Sequence, residues 1–452
     1  MNLRPQHGQF AVLVAALLTR LVSAPNANVS FMLIAAYAML GRAQAIHALA
    51  LSWLFSMLSP GIAVEATPGL VGRYVVLAAA AVSVFLRSGM VLRHLAVSWP
   101  VLATLLLGVS LVAHSLMFSP IPDVSVLKAL SWTAATATLL SAWSGLGVAE
   151  QDVLARQVFG GLTVLLLCSL PLLGLPLGYL LNGTGFQGVL NHPQVFGQTM
   201  ALLGSWAGSR MLAESKPAWG LVVLFGACLV LVVLSEARAA GIAALLGIVL
   251  AAVAGNMLAR RSVRSFLPGL RSRRVHLVLA VSLVAAVLAG PALSDRLGEY
   301  FSKRTDSTNL AEAYGASRGA LIEGMWTNIQ AQPWRGIGFG IASVAADMVV
   351  DRDPILGLPT GAAIEKGVLP LAVLEEVGVF GFVAVLLWLW MLMRRAARGG
   401  GMTALAVFVT ALLMNLGESV LFSPGGFGML SLILIGWAAT NRKEAEAPGQ
   451  HA

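Results

Sequence analysis

Long apolar segments without charged residues recur along the chain from residue 9 to residue 440. Segments of about 20 such residues are typical of helices that cross a lipid bilayer. Fourteen segments have suitable length and composition, although the second is short and could join the third: 9–23, 28–41, 43–60, 72–87, 97–118, 125–146, 157–181, 193–212, 218–236, 239–258, 275–293, 368–393, 402–421 and 425–440. The pattern predicts an all-α polytopic membrane protein with about 12 to 14 transmembrane helices.

The composition agrees with a membrane protein and excludes other classes. Apolar residues make up 58% of the 452 residues and charged residues only 11%, whereas a soluble domain has about 25% charged residues. Soluble enzymes and disordered scaffolds are therefore excluded. Cys168 and Cys228 both lie in apolar segments, so the sequence offers neither a disulfide nor a CxxC metal site.

Clusters of basic residues indicate how the chain is oriented. They follow the even-numbered spans: Arg87 and Arg93, Arg210 and Lys216, Arg260 to Arg274, Arg394 to Arg398, and Arg442 and Lys443. Cytoplasmic loops carry such an excess of Lys and Arg, so both termini are predicted to be cytoplasmic. The net charge of +9 then reflects topology, and no nucleic-acid partner is expected.

This orientation divides the chain into four predicted parts. Residues 1–293 form an N-terminal transmembrane bundle, 294–367 a large external (periplasmic) loop, 368–440 the C-terminal transmembrane helices and 441–452 a cytoplasmic tail. The loop holds seven basic and nine acidic residues, for a net charge of −2. A loop of this length is usually either functional or disordered.

The predicted loop contains an amphipathic helix. Apolar side chains recur at helical spacing before Pro333 and several glycines, which end the pattern: Leu321, Ile322, Met325, Trp326 and Ile329. Arg318 stands at the predicted start of this helix. The alternative interpretation is a helix that rests on the membrane surface.

Arginines on the external side are candidates for binding an anion. Arg238 lies between two apolar segments with almost no loop, beside Glu236. The two residues form either an ion pair that closes a tight helical hairpin or a site in which Arg238 binds an anionic group. Guanidinium groups offer forked donors that suit phosphate, and Arg318 and Arg335 are candidates for the same role. The alternative for Arg318 is a solvated residue at a helix start.

Two further groups of polar residues lie on the external side. The uncharged connection 182–204 contains Asn191, His192 and Gln194, which either bind sugar hydroxyls or form a plain turn in which Asn191 and His192 cap the next helix, with Pro193 at its first position.

The second group lies where the loop re-enters the membrane. Glu365, Lys366, Glu375 and Glu376 precede Gly378 and Gly381, whose spacing suits close helix packing. The carboxylates are candidates for a general base or for hydrogen-bonded structural groups. The sequence has no P-loop, no HExxH motif and no paired aspartates, so neither a metal nor a cofactor is expected.

Four segments in this order resemble the O-antigen ligase and O-antigen polymerase superfamily of bacterial envelope polysaccharide enzymes. They are "GVLNHPQVFGQ", "SEARAAGIAALLGIVLA", "SRGALIEGMWTNIQAQPWRGIGFG" and "LAVLEEVGVFG", within residues 183–387. The resemblance implies an inverting, metal-independent glycosyltransferase of the bacterial inner membrane. Such an enzyme takes a glycan from undecaprenyl pyrophosphate on the periplasmic face. Arg238 and Arg318 match the two arginines that bind pyrophosphate in that family.

The chain departs from the ligases at one position. The ligases carry a catalytic His, then Asn, Ser or Gln, then nine residues and Gly-x-x-Gly. Counting back from Gly378 places Gly367 and Val368 where the ligases have those two residues. Glu365 and Lys366 stand next to this position in the sequence. The departure favours a polymerase in which a carboxylate such as Glu365 or Glu376 serves as the base, or in which the acceptor hydroxyl is deprotonated in another way.

Three hypotheses remain open from the sequence. The first is an exopolysaccharide or O-antigen polymerase whose donor and acceptor are both undecaprenyl-linked. Membrane lipid is its expected partner, and a chain-length regulator is a further candidate partner. The second is a ligase that transfers polymer to lipid A-core. The third is a transporter or flippase for lipid-linked sugars, which is expected to show inverted repeats and charges midway through its spans.

Overall fold

The computed structural model describes residues 5–22, 24–63, 69–87, 98–288, 310–352, 357, 359–362 and 366–441. The α-helices are α1 Pro5–Val22, α2 Ala24–Ala38, α3 Arg42–Met57, α4 Gly69–Arg87, α5 Trp99–Phe118, α6 Pro122–Ser144, α7 Val148–Ser169, α8 Pro193–Ala213, α9 Trp219–Leu234, α10 Arg238–Ala259, α11 Val263–Phe266, α12 Arg273–Leu288, α13 Leu310–Ala331, α14 Leu369–Arg395, α15 Gly401–Met414 and α16 Gly428–Thr440. A π-helical turn, Ala396–Gly400, joins α14 to α15. Two short strands, β1 Val350–Arg352 and β2 Pro359–Ala362, pair antiparallel.

Each predicted span overlaps one of these helices, although the spans 157–181 and 402–421 extend beyond the ends of α7 and α15. Four helical stretches of the described residues are long and apolar enough to cross a membrane: Trp99–Phe118, Val148–Gly174, Arg238–Ala259 and Leu369–Met414. Four shorter apolar helical stretches accompany them. The chain is therefore a helical membrane protein, while the number of 12 to 14 crossings stays a prediction, as does the division into four parts. The tail beyond residue 441 lies outside the described residues.

Small and polar side chains let the central helices pack closely. A Cβ atom on Gly247 of α10 would lie 2.2 Å from the Thr410 hydroxyl of α15. That hydroxyl in turn donates to Ser205 Oγ of α8 at 2.8 Å. Close backbone approach and hydroxyl bonds of this kind stabilise helix contacts inside a bilayer, where apolar burial against lipid provides little driving force.

The helix ends gather on two opposite sides of the bundle. At one side, arginine side chains donate to backbone carbonyls of neighbouring turns: Arg42 to Gly145 at 2.7 Å, Arg87 to Met39 at 2.7 Å, and Arg274 to Pro217 at 2.7 Å. We call this side the basic end. Arg87 and Arg274 belong to the basic clusters of the sequence, and Arg42 follows the second predicted span.

The other side, the opposite end, holds the alternate connections. Asn191 N donates to Met57 O at 2.8 Å, and Phe186 N donates to Leu234 O at 2.9 Å. The β-hairpin joins this end through Arg352, whose Nη1 lies 2.5 Å from Asp123 Oδ2 at the start of α6. The membrane face that each end occupies stays a prediction.

Candidate functional site

A buried ion-pair cluster occupies the first half of α14. Lys366 Nζ lies 2.6 Å from Glu375 Oε2 and 3.2 Å from Glu376 Oε1. Lys366 is 3% exposed, Glu375 0% and Glu376 6%. Because isolated charges are costly to bury, the lysine and the two carboxylates stabilise one another.

The helix α13 and the loop that follows it supply the remaining donors. Asn328 Nδ2 donates to Glu375 Oε1 at 2.7 Å, and Gly340 N donates to Glu376 Oε2 at 2.6 Å. All four oxygens of the two carboxylates therefore accept a hydrogen bond or an ion pair. The cluster fastens α13 and its loop to α14, and we call this region the α13–α14 junction.

Gly378 breaks α14 inside the junction. Its φ of 66° and ψ of −174° are not helical, and an added Cβ would lie 2.2 Å from Trp334 O. Val379 N donates instead to Pro333 O at 2.9 Å. The absence of a side chain at Gly378 therefore allows the backbone of the loop after α13 to pack against α14. Gly381, expected to pack against another helix, would place a Cβ only against Val377 of α14.

The structure corrects the predicted start of the amphipathic helix. The helix α13 begins at Leu310, so Arg318 lies in its interior, because the preceding Ala, Leu and Glu residues favour helix. Met325 is buried against Val368 and Ala372, which shows packing on α14. Trp326, predicted to lie on the apolar face, is 50% exposed.

Arg335 is exposed at the junction, and its carbonyl accepts a hydrogen bond from His114 Nε2 of α5 at 2.5 Å. Arg318 belongs to α13 by its backbone, but its side chain lies outside the described part of the structure, and so does Glu365. The roles predicted for Glu365, Lys366, Glu376, Arg318 and Arg335 stay predictions.

Arg238 begins α10 at the opposite end of the bundle, beside the junction. The turn from α9 to α10 is three residues long, and Glu236 within it has a left-handed φ of 59°. Ala239 packs against Gly417, and Asn415 O accepts from Leu369 N at 2.9 Å. These contacts place the first turn of α10 next to the start of α14.

The polar connection before α8 is folded against the bundle. His192 caps α8, its Nδ1 accepting from Gln194 N at 3.1 Å, with Pro193 at the first helical position. Burial lowers the pKa of His192 below its ordinary value. The Asn191 Oδ1 atom is buried and has no hydrogen-bond partner among the described residues, and Gln194 is exposed. A cap is thus present at His192, and glycan binding by these three residues stays a prediction.

The first turn of α8 lies beside the turn that carries Arg238. A Cβ on Gly197 would lie 2.2 Å from Ser235 Oγ and 2.3 Å from the Ala237 Cβ. The structure thus brings the connection before α8, the start of α10 and the junction to the same end of the bundle.

Three contributors to the junction were not singled out from the sequence: His114, Lys128 and Asn328. Lys128 lies against Gly340 and 5.6 Å from the Phe339 ring centroid. A signal for Lys128 exists, since a lone lysine inside an apolar span is a functional candidate by default. Asn328 carries no such signal, because polar residues are ordinary on a helix that the sequence predicts to lie outside the bilayer.

No family model matches the chain, and a search of curated proteins found no match. The resemblance to the O-antigen ligase and polymerase superfamily therefore rests on the four sequence motifs.

Proposed function

We propose that the protein is an inverting, metal-independent glycosyltransferase that polymerises an exopolysaccharide or O-antigen from undecaprenyl-pyrophosphate-linked units. In this proposal the opposite end of the bundle faces the periplasm and both termini are cytoplasmic, in a bacterial inner membrane. The proposal rests on the observation that the α13–α14 junction lies next to the start of α10. It places Arg238 and Arg335 at one end, where α13 also contributes Arg318.

The chemistry needs a stabilised leaving group. An acceptor hydroxyl attacks the anomeric carbon from the face opposite the pyrophosphate. The bond from that carbon to the pyrophosphate oxygen breaks, and undecaprenyl pyrophosphate leaves with the electron pair. Positioned guanidinium groups of Arg238, Arg318 and Arg335 stabilise the charge on the leaving pyrophosphate and orient the donor.

The hydroxyl proton requires an acceptor, and we assign this role to Glu365. Lys366 and Gly340 already engage both oxygens of Glu376, which favours a positioning role for Glu376 and Lys366. These two residues hold α13, which carries Arg318, and the following loop, which carries Arg335, against the membrane helices.

The conformation of Gly367 supports a polymerase over a ligase. Gly367 stands where the ligases have their catalytic histidine, and its φ is 65°. Residues with a side chain rarely adopt that conformation. The backbone is therefore built for glycine at this position and for a mechanism without that histidine.

The test uses purified protein in lipid nanodiscs with an undecaprenyl-pyrophosphate-linked repeat unit, with and without lipid A-core. Glycan products are sized on a gel. The proposal expects a ladder without lipid A-core, and a loss of about 100-fold or more in rate for Arg318→Ala, the scale of removing one oxyanion-stabilising donor. Arg264→Ala, an exposed arginine at the basic end, is the matched control.

Product only in the presence of lipid A-core would overturn the polymerase assignment in favour of a ligase. Equal rates for Arg318→Ala and Arg264→Ala would remove the proposed pyrophosphate site.

A further inference from the structure

A cavity of about 240 Å³ opens at the basic end, between α7, α8, α16 and the π-helical turn. Its walls include the indole rings of Trp206 and Trp437, and its rim carries Asp152, Arg156, Arg210 and Glu214. The cavity is far from the proposed reaction, because it lies on the other side of the bundle. None of its residues takes part in the proposed transfer of glycan.

One arginine of the rim is held by its neighbours. Arg210 Nε donates to Glu214 Oε1 at 2.7 Å, and the Arg210 guanidinium lies 5.0 Å from the centroid of Trp206. The Trp206 ring also stacks on Phe159, with centroids 4.6 Å apart. This stack forms a fixed wall with no net charge.

The other two charges of the rim are free. Asp152 and Arg156 lie one turn apart on α7, yet no ion pair or side-chain hydrogen bond engages either within the described part of the chain. One unpaired carboxylate and one unpaired guanidinium on the same cavity match a ligand that carries both an ammonium and a phosphate. An arginine offers paired donors to phosphate oxygens, and a carboxylate accepts from an ammonium.

We propose that this cavity binds the phosphoethanolamine headgroup of a membrane phospholipid, with the phosphate on Arg156 and the ammonium on Asp152. The source is a lipid because the cavity lies where the membrane helices end. Its floor is apolar, with Ala155 and Ala213 beside the two tryptophans. Tryptophan is enriched at the depth of lipid headgroups, and the cavity has room for a small headgroup.

Native mass spectrometry of the full-length protein in detergent tests the assignment with three probes: phosphatidylethanolamine, phosphatidylglycerol and phosphatidylcholine of equal chain length. The proposal expects phosphatidylethanolamine to bind most tightly. Asp152→Asn should weaken its binding about twofold to fivefold, the range expected for exposed charge pairs, while leaving phosphatidylglycerol unchanged. Arg156→Gln should weaken the binding of both lipids. Asp347→Asn and Arg264→Gln, exposed and outside the cavity, are the matched controls.

Equal affinity of the wild-type protein for the three lipids would overturn the proposal, as would unchanged binding in both cavity variants. Free O-phosphoethanolamine that displaces the lipid at equal concentration would overturn the lipid as the source. Thermal unfolding of each variant establishes that the changes report on binding, since Asp152 and Arg156 are exposed.

Discussion

The Lys366 ammonium lies between two carboxylates that neighbour each other in sequence and are both withdrawn from solvent. Burying a second carboxylate beside the first is unfavourable unless a cation lies between them. The ammonium of Lys366 meets this condition, and Lys128 adds a second cation that interacts with Glu376. Asn328 and Gly340 satisfy the carboxylate oxygens that Lys366 does not reach. Lys366 is thus the cation in direct contact with both carboxylates.

Lys366→Met is expected to lower the free energy of unfolding by about 3–5 kcal/mol, because it removes the ammonium that directly contacts both buried carboxylates. The measurement is denaturant unfolding in detergent. Glu323→Gln, on the exposed face of α13, is the control and should change stability by less than about 0.5 kcal/mol. Adding Glu375→Gln and Glu376→Gln to Lys366→Met should recover part of the loss. An unchanged midpoint for Lys366→Met would contradict the account.

Gly378→Ala tests the break in α14. A methyl group at a φ of 66° would meet Trp334 O, so we expect a loss of about 1–3 kcal/mol together with release of the loop after α13. Gly319→Ala is the matched control in α13, where an added Cβ meets nothing within 4 Å. It should stabilise by about 0.5–1 kcal/mol. Equal effects of the two substitutions, measured by denaturant unfolding, would refute this explanation of the break.

Contacts of individual residues were also the part of the structure that the sequence predicted least well. Glu375, Glu376 and Lys366 were predicted as one group because they are close in sequence. Asn328 was not, since it lies 47 residues from Glu375 and only the fold brings them together. Gly378 was predicted to pack against a helix, although its actual neighbour is a loop backbone that hydropathy does not reveal.

At the scale of elements, the helices were predictable because bilayer thickness fixes the length of an apolar segment. Each of the fourteen predicted spans overlaps a helix, whereas α13 begins earlier than expected. Apolar spacing marked where α13 packs on α14, at Met325 and Ile322. The residues before Arg318 are good helix formers without an apolar stripe, so the pattern did not include them.

An exposed ion pair between Arg352 and Asp123 joins the β-hairpin to the start of α6. The hydrogen bond from Arg352 lowers the pKa of Asp123 from its ordinary 3.8. A lowered carboxyl pKa contributes stability that is present above pH 3.8 and is lost as the pH falls through the lowered pKa. Both side chains are 43% exposed, so the contribution is small and screened by salt.

Hydrogen exchange of the hairpin, residues Val350–Ala362, checks this expectation. After correction for intrinsic rates, protection in the wild-type protein should fall between pH 5 and pH 3, chiefly below pH 3.8. Asp123→Asn should show the lower protection at both pH values. A hairpin with the same protection in the variant and the wild type at pH 5 would mean that the ion pair does not hold it.

At the scale of the whole molecule, the arginines at the basic end donate to carbonyls of neighbouring turns. These hydrogen bonds close the connections between the helices at that end. The charge pattern predicts that this end is cytoplasmic, and that orientation stays a prediction.

Labelling of single cysteines tests the two ends directly. With Cys168→Ser and Cys228→Ala removing the native thiols, Arg264→Cys marks the basic end and Asp347→Cys the opposite end. We expect an impermeant maleimide to label Asp347→Cys in intact spheroplasts, and Arg264→Cys only after permeabilisation. Labelling of both from outside would contradict the alternation.

The central claim is that the protein breaks a glycosyl–pyrophosphate bond to extend a glycan. The most direct measurement is the amount of undecaprenyl pyrophosphate released by purified protein from the lipid-linked repeat unit alone, in the presence of EDTA. The account predicts one undecaprenyl pyrophosphate for each new glycosidic bond, with no requirement for a second acceptor. No release from a competent donor would contradict the transferase.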